Sequence, residues 1–572
     1  MDNSNPDNQF TNRPNIPETQ PPPDPNRFGS TQPSSSQPQA PQPQQEQRPM
    51  ARPDIPQVIS NNQKPKRRWR KVLITLLVIA ILAVGGWFAY QKFYNEESDS
   101  TAAVKRESKD IPSLSIGLEE VDYGSLYPDM GTNEYSFLVN AQIFEGLVRY
   151  ENRSKIVPAL ATDWSNPDSK TWVFTINKNI KFHDGNTVTA KDVKYSLDKV
   201  ITSKSDLADT FASTISSVEV IGPDKVRIAT TDADPTLLNR LAFLYIIDDE
   251  LPKGQDPSMA GTGPYYVKPG TKTSHTEVQL AAFDNYHGGK PKTRELSFGS
   301  EKSVDALIKA FDDGKYNIIG TVSPERADTE KGAYKFVSVE PDVHFIAFNT
   351  VREGPLQKKK VREAIRYALD PLAIGRARDN EVTPLSQMIP ESIPGYNPAI
   401  APYEQNTEKA RKLLKEAGYP DGVTLTFSTS DTDKSTNEFV SQLKKAGITL
   451  KIDQHNDFDE FIDYFLSGKP EMYTVDYSSD TLDGLDIFRT TISEAYYKNP
   501  EFYQTLDKAG ATIDPATRLK LLQDAALILD KDIPVVPLST EDNLWLMDKD
   551  YKITQDMPSS YISVYFYKVQ QK

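Results

Sequence analysis

WVFTINKNIKFHDGNTVTAKDVKYSLDKV, residues 172–200, is the stretch that says most about the fold. Together with the preceding threonine it begins with TWVFTI (171–176), a run of β-branched and aromatic side chains that is typical of a buried strand. The His183-Asp184 pair that follows has the residue types of a ligand pair or an acid–base pair. A glycine and an asparagine come next, so a turn with Asp184 as its turn former is the better interpretation.

Further along the chain, similar patterns predict alternating strands and helices. DVHFIAFN (342–349) has the composition of a second buried strand. KVREAIRYALD, from Lys360, repeats apolar residues on one helical face. Asp514-Pro515 predicts a capped helix start, after which Leu519, Leu522, Ala526 and Leu529 should line one side. The irregular alternation favours an α/β protein of two or more lobes.

Length and charge restrict the function. The 572 residues are too many for one core, which stops growing near ~250–300 residues. The net charge of −14 argues against a nucleic-acid binder. That charge is uneven, because residues 1–71 carry +4 and the remaining 501 carry −18. Proline is uneven as well, with 15 of 42 in the first 70 residues.

Motifs of catalysis are missing from the sequence. With no cysteine there is no disulfide, thiol nucleophile or cysteine-linked lipid anchor. The five histidines lie too far apart for an HExxH zinc site, and neither GxSxG nor a phosphate-binding loop occurs. GTGPYY (261–266) indicates a glycine-assisted chain crossover. The acids Asp480, Asp483 and Asp486 lack the spacing of a calcium loop. We therefore expect no cofactor, no metal and no enzymatic activity.

The amino-terminal part has the composition of a membrane-anchored tail. Residues 1–70 are rich in Pro, Gln, Asn and Ser, which predicts disorder. KPKRRWRK (64–71) then precedes twenty uncharged residues (72–91), enough for one helical crossing of a bilayer. The basic cluster places the amino terminus in the cytoplasm. A cleaved signal peptide fits poorly, because ~70 residues precede the apolar run. We predict a transmembrane helix at 71–92 and a polar stalk at 93–111.

From Pro112 onward, the sequence resembles the family of solute-binding proteins that serve ABC importers of oligopeptides, dipeptides and nickel. The stretch 172–200 is the most specific block of the resemblance. Further blocks lie before and after it, in the family's order. They are SLYPDM (125–130), IFEGLVRY (143–150), IVPALATDW (156–164), GTGPYYV (261–267), FDNYHGGKPK (283–292), VHFIAFNT (343–350), VREAIRYALDPLAI (361–374), EKARKLLKEAGYPDGVTLTF (408–427) and ILDKDIPVVPL (528–538).

The resemblance implies an α/β fold of the periplasmic-binding-protein type, a two-lobed clamshell that closes on its ligand by a hinge. We expect an ectodomain at 112–572 with a small extra domain at about 158–245. Lobe II should occupy about 341–535. Lobe I should be discontinuous, at about 112–157, 246–340 and 536–572.

Candidate ligand contacts also come from the resemblance. Peptide-binding members have a Gly-Trp-x-x-Asp segment whose aspartate pairs with the peptide's amino terminus, and the matching stretch here is Asp476-Tyr477-Ser478-Ser479-Asp480. Asp480 is then the amine-binding acid, while Tyr477 replaces the family's Trp and Gly484 its usual Pro. On the facing lobe, the matching residues precede a helix, where a helix cap from Thr132 or Asn133 is an equal alternative. The candidates there are Asn133, Glu134 and Tyr135.

The expected function is that of a membrane-anchored, monomeric receptor. It would bind peptides between the lobes and deliver them to ABC permease subunits, with its carboxyl-terminal domain extracellular or periplasmic. Two alternatives remain open: a metal chelate or another small solute as the ligand, or a transmembrane sensor or scaffold that uses the cytoplasmic tail.

Overall fold

The computed structural model places the described residues in one unit, Lys105–Lys572. They are residues 110–124, 126, 134–151, 154–203, 208, 211–252, 260–268, 270, 273–320, 322–330, 332–339, 342–378, 381–430, 432–479, 481–554 and 564–572. The predicted tail, the predicted membrane helix and nearly all of the stalk lie outside this range. Across the residues listed, no helix combines the length and the apolar character that a membrane crossing requires.

Strands run through the whole of the described part. In chain order they are β1 (Leu114–Glu119), β2 (Val148–Glu151), β3 (Lys155–Pro158), β4 (Ala161–Asp168), β5 (Thr171–Ile176), β6 (Ile215–Gly222), β7 (Lys225–Thr230), β8 (Tyr265–Val267), β9 (Glu277–Ala282), β10 (Glu295–Glu301), β11 (Ile318–Ile319), β12 (Tyr334–Val339), β13 (Val343–Phe348), β14 (Glu381–Pro384), β15 (Val423–Thr429), β16 (Ile448–Gln454), β17 (Met472–Tyr477), β18 (Val535–Met547), β19 (Tyr551–Ile553) and β20 (Val569–Gln571).

Helices alternate with these strands. They are α1 (Glu134–Ile143), α2 (Ala190–Ile201), α3 (Leu237–Leu241), α4 (Val304–Asp312), α5 (Pro324–Thr329), α6 (Lys359–Ala368), α7 (Pro371–Arg376), α8 (Thr407–Glu416), α9 (Lys434–Lys445), α10 (Phe458–Leu466), α11 (Gly484–Thr491), α12 (Pro500–Ala511) and α13 (Pro515–Asp532). The mixture confirms the predicted α/β class.

A mixed sheet of twelve strands forms the framework, in the order β16-β15-β17-β13-β18-β11-β1-β10-β9-β8, with β12 and β14 also paired to β18. We call β1 and β8–β12 the first strand group and β13–β17 the second strand group. A separate sheet, β4-β5-β7-β6, packs with α2 and α3 around a core of its own.

The long strand β18 joins the two strand groups. Its first part pairs with β13, as in Ile346↔Val536 and His344↔Ser539. Its last part pairs with β12 and β11, as in Phe336↔Trp545. The chain also passes from β12 in the first group to β13 in the second, through residues 340–342. The edge of the second group near residues 539–542 therefore lies beside the first group.

Strand β13 confirms the sequence interpretation of 342–349, because all six of its residues are buried. Alternate residues face opposite cores, as the pleat requires. Val343, Phe345 and Ala347 face the helices α11–α13, whereas Ile346 and Phe348 face α6, α8 and α9. A strand covered on both sides explains the continuous apolar run.

The other helix and strand predictions agree with the structure, with one difference of detail. TWVFTI forms β5, and the helix from Lys360 is α6. Helix α13 begins at Pro515 as predicted and ends at Asp532, and Ile533 after it takes a left-handed conformation with φ 54°. Leu519 was expected on the buried side and is instead 38% exposed, while Arg518 is buried.

Candidate ligand-binding site

The loop that follows β17 is organised around one carboxylate. Asp486 accepts a hydrogen bond from the Tyr477 hydroxyl on Oδ1 (3.0 Å). Its Oδ2 accepts from Ser479 Oγ (2.9 Å) and Thr481 Oγ1 (3.1 Å). The three donors occupy alternate positions, as in an extended segment whose side chains point to one side. We call residues 477–486 the β17 loop.

The far end of the β17 loop is held by a buried ion pair. Asp483 caps α11 by accepting from the Leu485 N–H at 2.9 Å. It also accepts two hydrogen bonds from the Arg518 guanidinium, at 2.7 and 2.6 Å. Both side chains are at least nine-tenths buried. Such a bidentate pair fixes orientation as well as position.

Backbone strain and close packing accompany this anchoring. Leu482 has φ 49°, a conformation that a bulky residue rarely adopts without a structural requirement. A Cβ on Gly484 would lie 2.5 Å from the Pro394 carbonyl oxygen, so the close approach needs glycine.

The β17 loop is also bonded to distant parts of the chain. The Thr481 carbonyl accepts from the Tyr150 hydroxyl (2.9 Å) and from Asn239 Nδ2 (2.7 Å). Tyr150 belongs to β2, and Asn239 to α3. Ser154 Oγ likewise donates to the Ser392 carbonyl. These bonds join segments that are far apart in the sequence.

A cavity of about 360 Å³ opens at the same edge of the second strand group. Its mouth carries the charged side chains of His344, Arg378, Asp476 and Glu541. The rest of the lining comes from β13, β14, β15, β17, β18 and the helices α7, α9 and α10. Its apolar side chains include Ile346, Ile374, Val382, Phe427, Phe439 and Leu538. Hydroxyl side chains line it as well, namely Thr429, Ser430, Ser435, Thr436, Thr474 and Ser539.

The charges at the cavity mouth pair with one another. His344 contacts Asp476 Oδ1 through Nδ1 at 2.5 Å and Glu541 Oε1 through Nε2 at 3.1 Å. Burial disfavours the imidazolium, but these two carboxylates outweigh burial and raise the pKa of His344 to about 9. Arg378 donates to Asp433 at 2.6 Å and to Glu541 at 3.1 Å. The cluster is therefore a network of cations held between carboxylates.

Three of the predicted contact residues, Asp476, Tyr477 and Ser478, lie where β17 passes into the β17 loop. Asp476 lies at the cavity mouth, bonded to His344 and half exposed. Tyr477 lies in the β17 loop, and Ser478 is exposed beside Asp342. Burial raises the pKa of Asp342, and the Ser478 hydroxyl opposes that shift by hydrogen bonding. The ligand roles of these residues stay predictions.

The remaining predicted residues fall elsewhere. Asp480 and Asn133 lie outside the described residues. Glu134 is the first residue of α1. Tyr135, half-buried on the same helix, packs against the core that α1 forms with the first strand group. The ligand roles of Asn133, Glu134 and Tyr135 also stay predictions.

Two polar motifs outside this region have structural roles. His183 Nε2 lies 2.9 Å from the Gly263 carbonyl, and burial lowers the pKa of His183 to about 4. The turn at His183 thereby docks on the GTGPYY loop. Asp192, Asp248 and Asp249 bring carboxylate oxygens within 4.8 Å of one another. Asp192 is occupied there as the partner of the Thr189 cap and of the Asp249 N–H.

Sequence reasoning missed His344, Arg378, Glu541, Tyr150 and Asn239. For His344 a signal exists, since it is the one polar side chain within the apolar run VHFIAF. Tyr150 and Asn239 give no local signal, because 331 and 242 positions separate them from Thr481.

Comparison with known proteins identifies the fold and then the family. The ABC transporter-associated periplasmic binding protein DppA from Helicobacter pylori, solved with the peptide STSA, superposes with a TM-score of 0.59 at 22% identity, covering 82% of this chain and 99% of that one. The fold is that of periplasmic binding proteins. Residues 155–499 match the family model described as bacterial extracellular solute-binding proteins, family 5 middle. The chain belongs to this family of ABC-transporter solute-binding proteins, which are not enzymes.

Two curated relatives align with this chain over most of their own length. The glutathione-binding protein GsiB of Salmonella choleraesuis (strain SC-B67) is 26% identical over 450 residues, which are 73% of this chain and 87% of the relative. The oligopeptide-binding protein OppA of Bacillus subtilis (strain 168) is 23% identical over 538 residues, 85% of this chain and 96% of the relative.

Proposed function

We propose that this protein captures peptides between two lobes and delivers them to the permease of an ABC importer. The observation that carries the proposal is the anchored β17 loop. It is held at Asp483 and Asp486, bonded to Tyr150 and Asn239 through Thr481, and contains Asp480 in its middle. The relatives' names support peptide-like ligands, because they bind glutathione and oligopeptides.

In this proposal Asp480 pairs with the amino terminus of the peptide. An ammonium group that leaves water needs an opposite charge and hydrogen bonds, since otherwise its desolvation is prohibitive. The main chain of the peptide would pair with backbone groups next to the end of β17, which gives affinity without a sequence requirement. Tyr477 and Ser478 would border the peptide, and Tyr135, Glu134 and Asn133 would approach it from the facing lobe.

The two strand groups would form the lobes. Lobe I would include the first strand group and the carboxyl-terminal residues from 536, lobe II would be 341–535, and 158–245 would be the extra domain. The crossing of β18 from β13 to β12 supports a hinge at residues 539–543, with a second connection at 340–342. Rotation about these two connections would open and close the space beside the β17 loop.

The receptor would reach its permease through its own membrane anchor. The apolar residues 72–91 and the basic cluster before them support a single crossing with the amino terminus in the cytoplasm. The ectodomain would then act outside the membrane as a monomer.

Three experiments test the proposal. Mass spectrometry of the ligand released from the protein purified from its native source should detect peptides. Calorimetry of the full chain with di- to octapeptides should show binding. A co-purified metal chelate or sugar, together with no peptide binding, would overturn the peptide assignment. Deletion of residues 2–60 should leave peptide uptake unchanged. A loss of uptake in this variant would favour a role for the tail.

A further inference from the structure

Basic side chains are concentrated at one end of the second strand group and its helices. The segments 358–360, 411–421 and 444–447 together hold eight Lys or Arg and two acids, a net charge of +6. The whole chain carries −14, so the sign of this charge is opposite to the average. All eight basic residues are exposed, and we call them the basic surface: Lys358, Lys359, Lys360, Arg411, Lys412, Lys415, Lys444 and Lys445.

Hydrogen bonds between helix ends bring the three segments together. Lys358 Nζ donates to the Ala417 carbonyl at 2.9 Å, which links the residue before α6 to the end of α8. Arg411 Nε donates to the Lys445 carbonyl at 3.1 Å, which links α8 to the end of α9. The basic surface is therefore one area of the molecule rather than three separate charge runs.

Part of this charge has no partner within the fold. Lys360 pairs with Glu416 at 2.7 Å. Three of the other lysines lie in the last turn of a helix, where the helix dipole favours a cation. The dipole does not explain why cations from three helices gather at one place, since like charges repel one another. Four exposed lysines make no ion pair with any residue that the structure describes, namely Lys359, Lys415, Lys444 and Lys445.

The basic surface lies away from the cavity. The Val423 N–H donates to the Gly447 carbonyl at 3.0 Å, so the start of β15 lies next to the basic surface. The same strand reaches the cavity lining at Thr429, six residues and ~20 Å farther along. A partner bound to the basic surface would therefore leave the cavity mouth open.

We propose that the basic surface docks the ectodomain on the anionic phospholipid surface of the membrane that carries it. The inference goes beyond the proposed function, and its choice of a lipid partner rests on the proposed anchor at 72–91. The 19 residues of the predicted stalk, 93–111, span at most ~65 Å, so the bilayer stays close to the ectodomain.

Charge complementarity favours this partner and sets the orientation. An anionic bilayer attracts clustered lysines within about one Debye length, ~8 Å at physiological salt. The acidic remainder of the ectodomain is repelled by the same bilayer. Docking would thus fix which end of the second strand group faces the membrane.

Energy transfer to the bilayer tests the inference. The chain has no cysteine, so Thr449→Cys, at an exposed position near the basic surface, takes a single donor dye. The full chain is reconstituted into vesicles with a headgroup-labelled acceptor lipid, made of phosphatidylcholine or of its equimolar mixture with phosphatidylglycerol. Transfer should be at least about twofold higher in the anionic vesicles, and about 0.5 M salt should abolish the difference. Equal transfer in both vesicles would overturn the inference.

Two variants with the same change of net charge locate the effect. The first replaces the four unpaired lysines and should lose the increase in transfer: Lys359→Gln, Lys415→Gln, Lys444→Gln and Lys445→Gln. The second replaces four exposed lysines elsewhere and should keep the increase: Lys155→Gln, Lys181→Gln, Lys191→Gln and Lys225→Gln. The basic cluster at 64–71 is unchanged in both variants. An increase that survives in the first variant, or that is lost equally in both, would also overturn the inference.

Failure of the anchor can be distinguished from failure of the basic surface. Extraction of the chain from the vesicles by alkaline carbonate would refute the proposed anchor. Sedimentation of the same variants with preformed vesicles then tests the basic surface alone, and the first variant should bind anionic vesicles at least about tenfold more weakly than the second. Equal binding of the two variants would overturn the inference. Binding of soluble polyphosphate without a response to anionic vesicles would assign the surface to an anionic polymer and would overturn the lipid assignment.

Discussion

The hydroxyl of Tyr150 donates a hydrogen bond to the carbonyl of Thr481 at 2.9 Å, although 331 positions separate the two residues. Tyr150 lies on β2 and is buried, and Thr481 lies within the β17 loop. Asn239 supplies a second donor to the same oxygen. One carbonyl thus receives donors from two segments of the amino-terminal half of the ectodomain.

Removing a donor from this carbonyl should speed peptide release. A hydrogen bond of this kind contributes about 0.5–1.5 kcal/mol, so Tyr150→Phe should raise the dissociation rate of a bound peptide about two- to tenfold. Stopped-flow displacement measures that rate. Tyr403→Phe is the matched control, because its hydroxyl also donates to a backbone carbonyl, that of Pro537 on β18. Equal rates in Tyr150→Phe and wild type would contradict the role of the bond.

The Asp483–Arg518 pair should be essential for stability. Asp483→Ala leaves the buried Arg518 guanidinium without its carboxylate, which costs about 3–5 kcal/mol of the free energy of unfolding. Urea denaturation monitored by fluorescence gives this value. The control is Asp507→Ala, which breaks an exposed pair with Arg489 and should cost less than about 1 kcal/mol. Similar losses in the two variants would show that burial of the pair has no special effect.

Stability should fall on the alkaline side because of His344. Its pKa of about 9 in the folded protein lies above the value of about 6.5 for an unfolded chain. The stabilisation by the imidazolium is therefore complete below about pH 6.5 and is lost as the pH rises to about 9. It amounts to about 3 kcal/mol.

Denaturation curves of wild type and His344→Gln between pH 6 and 9.5 measure this dependence. The difference in unfolding free energy should be largest at pH 6 and should shrink towards pH 9.5. His275→Gln, which removes an exposed histidine bonded to Asp122, provides the comparison. A wild-type advantage over His344→Gln that stays constant with pH would exclude a charged His344.

Low pH should decrease the free energy of unfolding through a different histidine, His183. Burial lowers the pKa of His183 to about 4, below the unfolded value of about 6.5. The neutral ring is then favoured above about pH 6.5, and this stabilisation is lost as the pH falls towards 4. The two-dimensional NMR signals of the His183 ring should titrate near pH 4, and a midpoint near 6.5 would contradict its burial.

Much of the fold could be predicted from sequence, for physical reasons. The buried run at 343–348 and the helical repeat from Lys360 reflect burial directly, so pattern reasoning located β13 and α6. Local conformation was harder to predict, because the left-handed conformation of Ile533 and the exposure of Leu519 depend on how α13 packs against its neighbours.

Local and distant residues of the candidate site also differ in how far sequence could predict them. Residues 476–478 could be proposed from sequence because they belong to one continuous motif. The partners that hold the motif, among them Tyr150 and Arg518, come from distant strands and helices and are brought together only by folding. The cavity is likewise lined by residues from several strands and several helices, and no local sequence pattern links these residues.

The most direct test of the central claim compares peptides with free and blocked amino termini. Calorimetry is performed with tri-alanine and N-acetyl-tri-alanine on wild type and on Asp480→Asn, a change that removes the charge and little volume. A paired ammonium is worth several kcal/mol, so wild type should bind the free amine at least about thirtyfold more tightly. Asp480→Asn should lose that difference. Equal binding of both peptides by wild type, or an undiminished difference in Asp480→Asn, would contradict amine capture by Asp480.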